Sequence, residues 1–305
     1  MYPYIVIDFG EHFRLGLYDI CLMVGIIACL ALYRIFADRQ KFKAKIQNFA
    51  LFTGLIAIGC GYYAAALVQT FYNWKAALGT GKEADFWSFW GTGATFYGGL
   101  VGGVIIFLII YFGIGALIFK KQENIHHFFP IATIAGAVIP VAHGIGRIGC
   151  LMAGCCHGTR CEAPLWYTLT FYENIVKQSD GTVTADAFYA VPVQLYEAIF
   201  LLALAVFLIW RVIKNKHYNL SIYTISYGVW RFLAEYLRGD ARGEGIVSFL
   251  SPSQQTALLL IAVGIGVIFA EKYTRRYTAR VMAAQVSEVP AEEVQEPHEQ
   301  ASSEP

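Results

Sequence analysis

Three arginines stand where the surrounding sequence makes a charge costly. Arg231 falls inside an apolar run, with Glu235 four positions on and Arg238 three beyond that. A spacing of four puts Arg231 and Glu235 on one face of a helix. Two readings fit the pair. One is an internal ion pair that locks a helix bundle. The other is a cationic pocket wall, in which Glu235 fixes an arginine whose planar fork grips phosphate oxygens in a bidentate way. Arg147 lies between Gly146 and Gly149 at the end of another apolar run. It is either an arginine snorkelling to a membrane surface or a cation that a lipid phosphate approaches closely across the glycines. His143 precedes Arg147 by four residues.

Gly144, Gly146 and Gly149 match G-x-G-x-x-G. A dinucleotide fingerprint needs a strand before it, a helix after it and an acidic residue about 20 positions on. Here a proline-broken apolar run precedes the glycines, so the match is a false one. Gly98 with Gly102, and Gly99 with Gly103, are in the first instance small-residue contacts between helices.

There are seven cysteines. Cys21, Cys29 and Cys60 sit in apolar runs and read as inert packing. Cys150, Cys155, Cys156 and Cys161 crowd together with His157 among them, and the spacing C-x4-C-C-H-x3-C is no standard zinc pattern. One or two disulfides in an oxidising compartment, a metal centre and a reactive thiol group all stay open. No metal site is assigned, and no cofactor is expected.

The elements that position these residues follow from composition. Of 305 residues, 57% are hydrophobic and only 15% charged, against about 25% charged in a soluble domain. Mean hydropathy is +0.50. Lys and Arg total 23 and Asp and Glu 22, a net charge of +1, so no basic stripe marks a nucleic-acid partner. A membrane helix needs about 20 predominantly apolar residues. Runs at 15–36, 49–72, 96–119, 128–149, 191–210, 220–237 and 254–270 meet that need. The alternation of a membrane barrel is absent, so the runs read as helices. The expected fold is an all-α bundle of seven transmembrane helices.

The first, third and fifth loops with the C-terminal segment carry fourteen Lys and Arg, against eight on the other side, with Arg231 left inside a span. That asymmetry predicts an outside N-terminus and a cytoplasmic C-terminus. The first fourteen residues lack a basic start before an apolar core, so no cleavable signal is expected. The membrane domain is read as 1–280, with an outward loop at 151–190 that carries short structure of its own. Residues 281–305 read as a disordered acidic tail: from position 283 on there are six Glu, three Pro and no Lys or Arg. No internal repeat supports an inverted-repeat transporter.

Five blocks, in order, resemble the prolipoprotein diacylglyceryl transferase family. Trp90 to Gly103, W-G-T-G-A-T-F-Y-G-G-L-V-G-G, resembles its W-x-G-G-M-S-F-H-G-G-L-I-G block. Gly146 to Gly158, G-R-I-G-C-L-M-A-G-C-C-H-G, resembles its signature G-R-x-G-N-F-x-N-x-E-x-x-G. Pro192 to Glu197 is similar to P-[ST]-Q-L-Y-E, and Tyr227 to Arg238 to Y-G-x-x-R-F-x-x-E-x-x-R. Ser253-Gln254-Gln255 matches the start of the last helix loosely. The resemblance spans roughly residues 4–273, and the family's seven-span, N-outside topology agrees with the count above.

The resemblance implies transfer of a diacylglyceryl group from phosphatidylglycerol to the lipobox cysteine of a preprolipoprotein, with release of glycerol phosphate, in the bacterial plasma membrane among its lipids. It implies that Arg147, Arg231 and Arg238 hold phosphate and stabilise the leaving oxygen, with Glu235 orienting them. Gly98, Gly99, Gly146, Gly149, Cys150, Cys155 and Gly158 then fall at pocket positions, and Tyr18 near a family tyrosine. Gln194, Tyr196, Glu197 and Tyr227 form the pocket wall. The family's histidine is Tyr97 here, its signature Asn is Cys150 and its signature Glu is Cys155. Tyrosine, whose unperturbed pKa is about 10, is a poor base. Tyr97 is therefore expected to keep a hydrogen-bonding role, and His143 is the candidate to take over as base. A membrane thiol or metal protein built on the Cys150–Cys161 cluster, and an inactive lipid-binding homologue, are the alternatives.

Overall fold

A computed structural model describes residues 7–8, 14–79, 85–93, 95–119, 123–177, 182–238 and 249–287. A short pair of antiparallel strands, β1 (Ile7–Asp8) and β2 (Arg14–Leu15), precedes the helices. The bundle contains α1 (Leu17–Arg39), α2 (Ala44–Gly79), α3 (Phe96–Leu108), which runs through a π-helical stretch (Ile109–Ile114) into α4 (Gly115–Ile118), and α5 (Glu123–Met152). It is completed by α6 (Val193–Ile213), α7 (Asn219–Ala234), which ends in a 3-10 turn (Glu235–Leu237), and α8 (Pro252–Ser287).

Six helical stretches among the described residues are long and apolar enough to cross a membrane: α1, α2, the α3–α4 run, α5, α6 and α8. The expected seventh, at 220–237, is shorter as a regular helix. It has 16 α-helical residues and tightens into the 3-10 turn where Glu235 begins. The polar end of that segment is bound by Ser251 and Ser253, at the entry to α8 and in its first turn. The expectation of an all-α chain needs one correction. Segment 151–190 contains β3 (Arg160–Cys161), β4 (Leu169–Lys177) and β5 (Val183–Ala190), an antiparallel sheet in the order β3-β5-β4. Helix α8 continues to Ser287, past the expected start of the acidic tail. Residues 288–305 lie outside the described residues.

Helix α5 is the hub, packed on α1, α6 and α7. Pro130 and Pro140 lie inside it. Each lacks an N–H and crowds the carbonyl four residues back, which neighbouring helices make tolerable in a membrane protein. At Gly136, the residue whose carbonyl Pro140 releases, the backbone of Asn219 and Leu220 comes so close that a Cβ would collide. The start of α7 thus seats directly on α5. The core at this end joins Tyr33, Phe36, Ile46, Tyr111, Ile134, Val138 and Leu208.

The paired small-residue spacings are used for packing. A Cβ at Gly98 would meet Val68 at 2.8 Å, one at Gly99 would meet Ala65 and the Gly61 carbonyl at 3.2 Å, and one at Gly102 would strike Ala64. Gly98 and Gly99 therefore press α3 against α2. Gly102→Leu is expected to cost about 1–3 kcal/mol through overpacking, read as a lower thermal midpoint in detergent.

Candidate active site

The end of α5 sets the geometry. The helix closes in a Schellman motif: the Cys155 N–H donates to the Cys150 carbonyl at 3.1 Å and the Gly154 N–H to the Leu151 carbonyl at 3.1 Å. Gly154 has φ +70°, the left-handed position that glycine fills without strain. The chain then turns back over the bundle. The Gly158 N–H donates to the Val191 carbonyl at 2.8 Å, and a Cβ at Gly158 would strike the Leu237 carbonyl. Gly158 thus lets three segments meet: this turn, the entry to α6 and the exit from α7.

One turn before that end, Arg147 meets Glu197 of α6. Nε lies 3.0 Å from Glu197 Oε1. Glu197 has no exposed surface, and the same oxygen accepts a hydrogen bond from the Tyr227 hydroxyl of α7 at 2.9 Å. His143 stands below. Its Nε2 is 3.8 Å from Glu197 Oε1, its Nδ1 is 3.0 Å from the Tyr223 hydroxyl, and its ring meets that of Tyr227 edge-on at 4.7 Å. Three helices therefore converge on one carboxylate, which the sequence reading places in the pocket wall and the structure makes the charge partner of Arg147. Gln194 donates from Nε2 to the Cys155 carbonyl at 2.9 Å, tying α6 to the turn.

Tyr227 and Arg231 are one turn apart on α7 and share a face. Arg231 is 6% exposed. Its Nη2 donates to Ser253 Oγ at 2.7 Å and lies 3.0 Å from Glu235 Oε2. The Glu235 Oε1 accepts from Ser251 Oγ at 2.8 Å. Those serines are held by a capping box that opens α8. The Gln254 N–H donates to Ser251 Oγ and the Ser251 N–H to Gln254 Oε1, each at 3.1 Å, with Pro252 at the first helical position. Ser251→Ala is expected to cost about 1 kcal/mol as a lost cap and to free Glu235, seen as a lower thermal midpoint with a weakened dependence of activity on Glu235.

The Nη1 of Arg231 is buried and has no hydrogen-bond partner among the described residues. A buried donor left unmade costs about 1–3 kcal/mol, more when charged. The site thus presents a desolvated guanidinium N–H ready for an oxyanion.

Tyr18 and Gly149 bring α1 against this end. A Cβ at Gly149 would meet Cys21 at 3.0 Å and Tyr18 at 3.3 Å. Among the described residues nothing crowds Gly146. Tyr196 donates its hydroxyl to the Tyr167 carbonyl at 2.8 Å, bracing the turn before β4 against α6. Arg238 closes the 3-10 turn, its N–H donating to the Glu235 carbonyl at 3.1 Å. The Tyr97 side chain lies outside the described residues.

The seven cysteines are free thiols. Cys161 stands apart from the others, its Sγ 3.9 Å from the Thr159 carbonyl, whereas Cys150, Cys155 and Cys156 have converged. Hydrogen bonds from Cys150 and Cys155 hold the Cys156 thiol well below the usual range, and the charges of Arg147 and Arg238 add to the effect.

Residues 4–270 match the family model of prolipoprotein diacylglyceryl transferase. The chain belongs to the prolipoprotein diacylglyceryl transferase family. A phosphatidylglycerol–prolipoprotein diacylglyceryl transferase of Clostridium tetani is 32% identical over 271 residues, 87% of this chain and 98% of the relative. A second such enzyme of Clostridium perfringens, numbered 2, is 29% identical over 262 residues, covering 84% and 91%. One from Streptococcus equi subsp. zooepidemicus is 27% identical over 258 residues, covering 83% and 89%. These relatives give no support to a thiol-redox, metal-binding or inactive protein as the alternative identity of this transferase-family chain. Reading the sequence missed Tyr223 and Ser251, and did not join Glu197 to Arg147. The only local signal was Ser251-Pro252-Ser253-Gln254, which has the form of a capping box.

Proposed function

We propose that this membrane protein moves the diacylglyceryl group of phosphatidylglycerol onto the lipobox cysteine of a preprolipoprotein. The cysteine sulfur forms a bond to the glyceryl carbon that carries the phosphate ester. The carbon–oxygen bond breaks, its electron pair stays on the phosphate oxygen, and glycerol phosphate leaves. The thiol proton passes to a base. Arg231 and Arg147 hold the phosphate and stabilise the charge growing on the leaving oxygen. Arg238 supplies further positive charge at the mouth. Glu235 and Glu197 aim the two arginines. The observation that carries this reading is the buried Nη1 of Arg231, which has no hydrogen-bond partner among the described residues. The topology that fits is seven spans in the bacterial plasma membrane, N-terminus outside, with α7 as the short sixth span and the site opening toward the outer leaflet. Membrane lipid then enters from the side.

The test uses purified protein, phosphatidylglycerol vesicles and a synthetic lipobox peptide, read by mass spectrometry beside an active family enzyme. A peptide that gains a diacylglyceryl group is the expected result. A bound lipid with an unmodified peptide would make the protein a lipid-binding scaffold.

His143 fits a positioning role better than the role of base, because both ring nitrogens face protein groups, Tyr223 and Glu197. His143→Gln is expected to lower turnover several-fold while the pH profile keeps its shape, and His143→Ala to lower it further. Loss of the acid limb of the profile in His143→Gln would restore His143 as the base, a role worth about 10²–10⁴-fold.

A further inference from the structure

We propose that Cys150, Cys155 and Cys156 form a three-thiolate site for a thiophilic metal cation, with Cu(I) as the best match. The Sγ atoms of the three residues all lie within 4.8 Å of one another. A metal–sulfur bond of about 2.3 Å places the sulfurs of a trigonal or tetrahedral centre about 3.8–4.0 Å apart, so small rotamer changes close the set.

The backbone produces this convergence. In the Schellman motif that ends α5, Cys150 is the residue three from the helix end and Cys155 the second residue past the cap. These are the two positions that the motif brings into side-chain contact, usually an apolar one. Here the contact is between two thiols. Cys156 then adopts φ +62°, a conformation that is uncommon for a residue with a side chain. It brings the third sulfur back to the other two. Cys155 and Cys156 are exposed and Cys150 half-buried, so an ion has a path in.

The donor set selects the metal class. Thiolates favour Cu(I) and Zn(II) over harder cations. Among the described residues no fourth protein ligand joins the three. The His157 Nδ1–H donates to the Gly158 carbonyl at 2.9 Å and its ring packs on Phe171 and Phe188. Cu(I) is satisfied by three sulfurs, whereas Zn(II) would add a water as its fourth ligand. Each thiol gives up its proton to solvent as the metal binds. The resemblance to the family assigns Asn and Glu to positions 150 and 155, so the thiol set belongs to this chain and adds to its membership of the transferase family.

The test uses the full-length protein in detergent, fully reduced and free of oxygen. It is loaded with Cu(I) alone or with Zn(II) alone and challenged with a colorimetric chelator for each. The expected result is a single retained ion in wild type and in Cys161→Ser. Retention should weaken in Cys150→Ser and in Cys156→Ser by more than the roughly 10–100-fold that loss of an outer-shell partner costs. In unmutated protein, iodoacetamide labelling followed by mass spectrometry should show Cys150, Cys155 and Cys156 protected by the ion and Cys161 still reactive, a readout independent of how the variants fold. Release of both ions to the chelators, equal protection of Cys161, or a disulfide within 150–156 that survives reductant would overturn the site.

Discussion

Arg147→Ala is expected to lose both activity and stability, and the two losses can be separated. The substitution leaves Glu197 wholly buried with no counter-charge, since its remaining described partners are the Tyr227 hydroxyl and the more distant His143 ring. Breaking a buried pair from one side costs about 3–5 kcal/mol. Thermal or denaturant unfolding in detergent should show a loss of that size. Removing the charge from both sides should restore much of it, so Arg147→Ala with Glu197→Gln is expected to be more stable than Arg147→Ala alone. Transfer activity should stay absent in the double variant, because the cation proposed to hold the phosphate is still missing. A double variant that regains turnover would assign Arg147 to scaffolding alone.

Arg231→Ala is expected to lower transfer by about 10²–10³-fold, the usual cost of deleting one preorganised donor at a developing oxyanion. The effect should fall on kcat, because charge on the leaving oxygen grows toward the transition state. Arg231→Lys is expected to recover only a small part. A lysine ammonium replaces the charge but not the planar fork that reaches Ser253 through Nη2 and keeps Nη1 without a partner among the described residues. Stability should move less than in Arg147→Ala. Glu235 keeps its hydrogen bond from Ser251 to Oε1, and its side chain is 11% exposed where that of Glu197 is 0%, although the Oε2 that faces Arg231 is itself buried. Steady-state kinetics with phosphatidylglycerol vesicles and lipobox peptide check the result. Unchanged kcat in Arg231→Ala would remove this arginine from the chemistry.

Local spacing carried much of the site into the sequence. Arg231 and Glu235 are four apart, and a helix then has little choice but to pair them, as it does at 3.0 Å. Gly98, Gly99, Gly102 and Gly103 announced a close helix contact, and α2 supplies it. The apolar runs located the helices because a bilayer demands long apolar stretches with their backbone bonds closed internally. What the sequence by itself determined was therefore the membrane class, the helix positions, the family blocks and the pairs set by helical periodicity.

Only the tertiary structure decided the rest. Glu197 looked like a wall residue because nothing in its neighbourhood is cationic; α6 packing on α5 brings it to Arg147, and α7 adds Tyr227 to the same oxygen. Ser251 and Ser253 meet Glu235 and Arg231 because the capping box fixes the start of α8 beside the end of α7. The short seventh helix reflects the same contacts, since a segment bound through polar side chains need not continue as a regular apolar helix. The four crowded cysteines were ambiguous in sequence because spacing along the chain does not say where a left-handed turn will aim a sulfur. Gly154 and Cys156, both at positive φ, decide that three thiols meet while Cys161 stays apart. Periodicity is a property of one helix, whereas these contacts depend on how separate helices pack, and that is settled by the burial of whole faces.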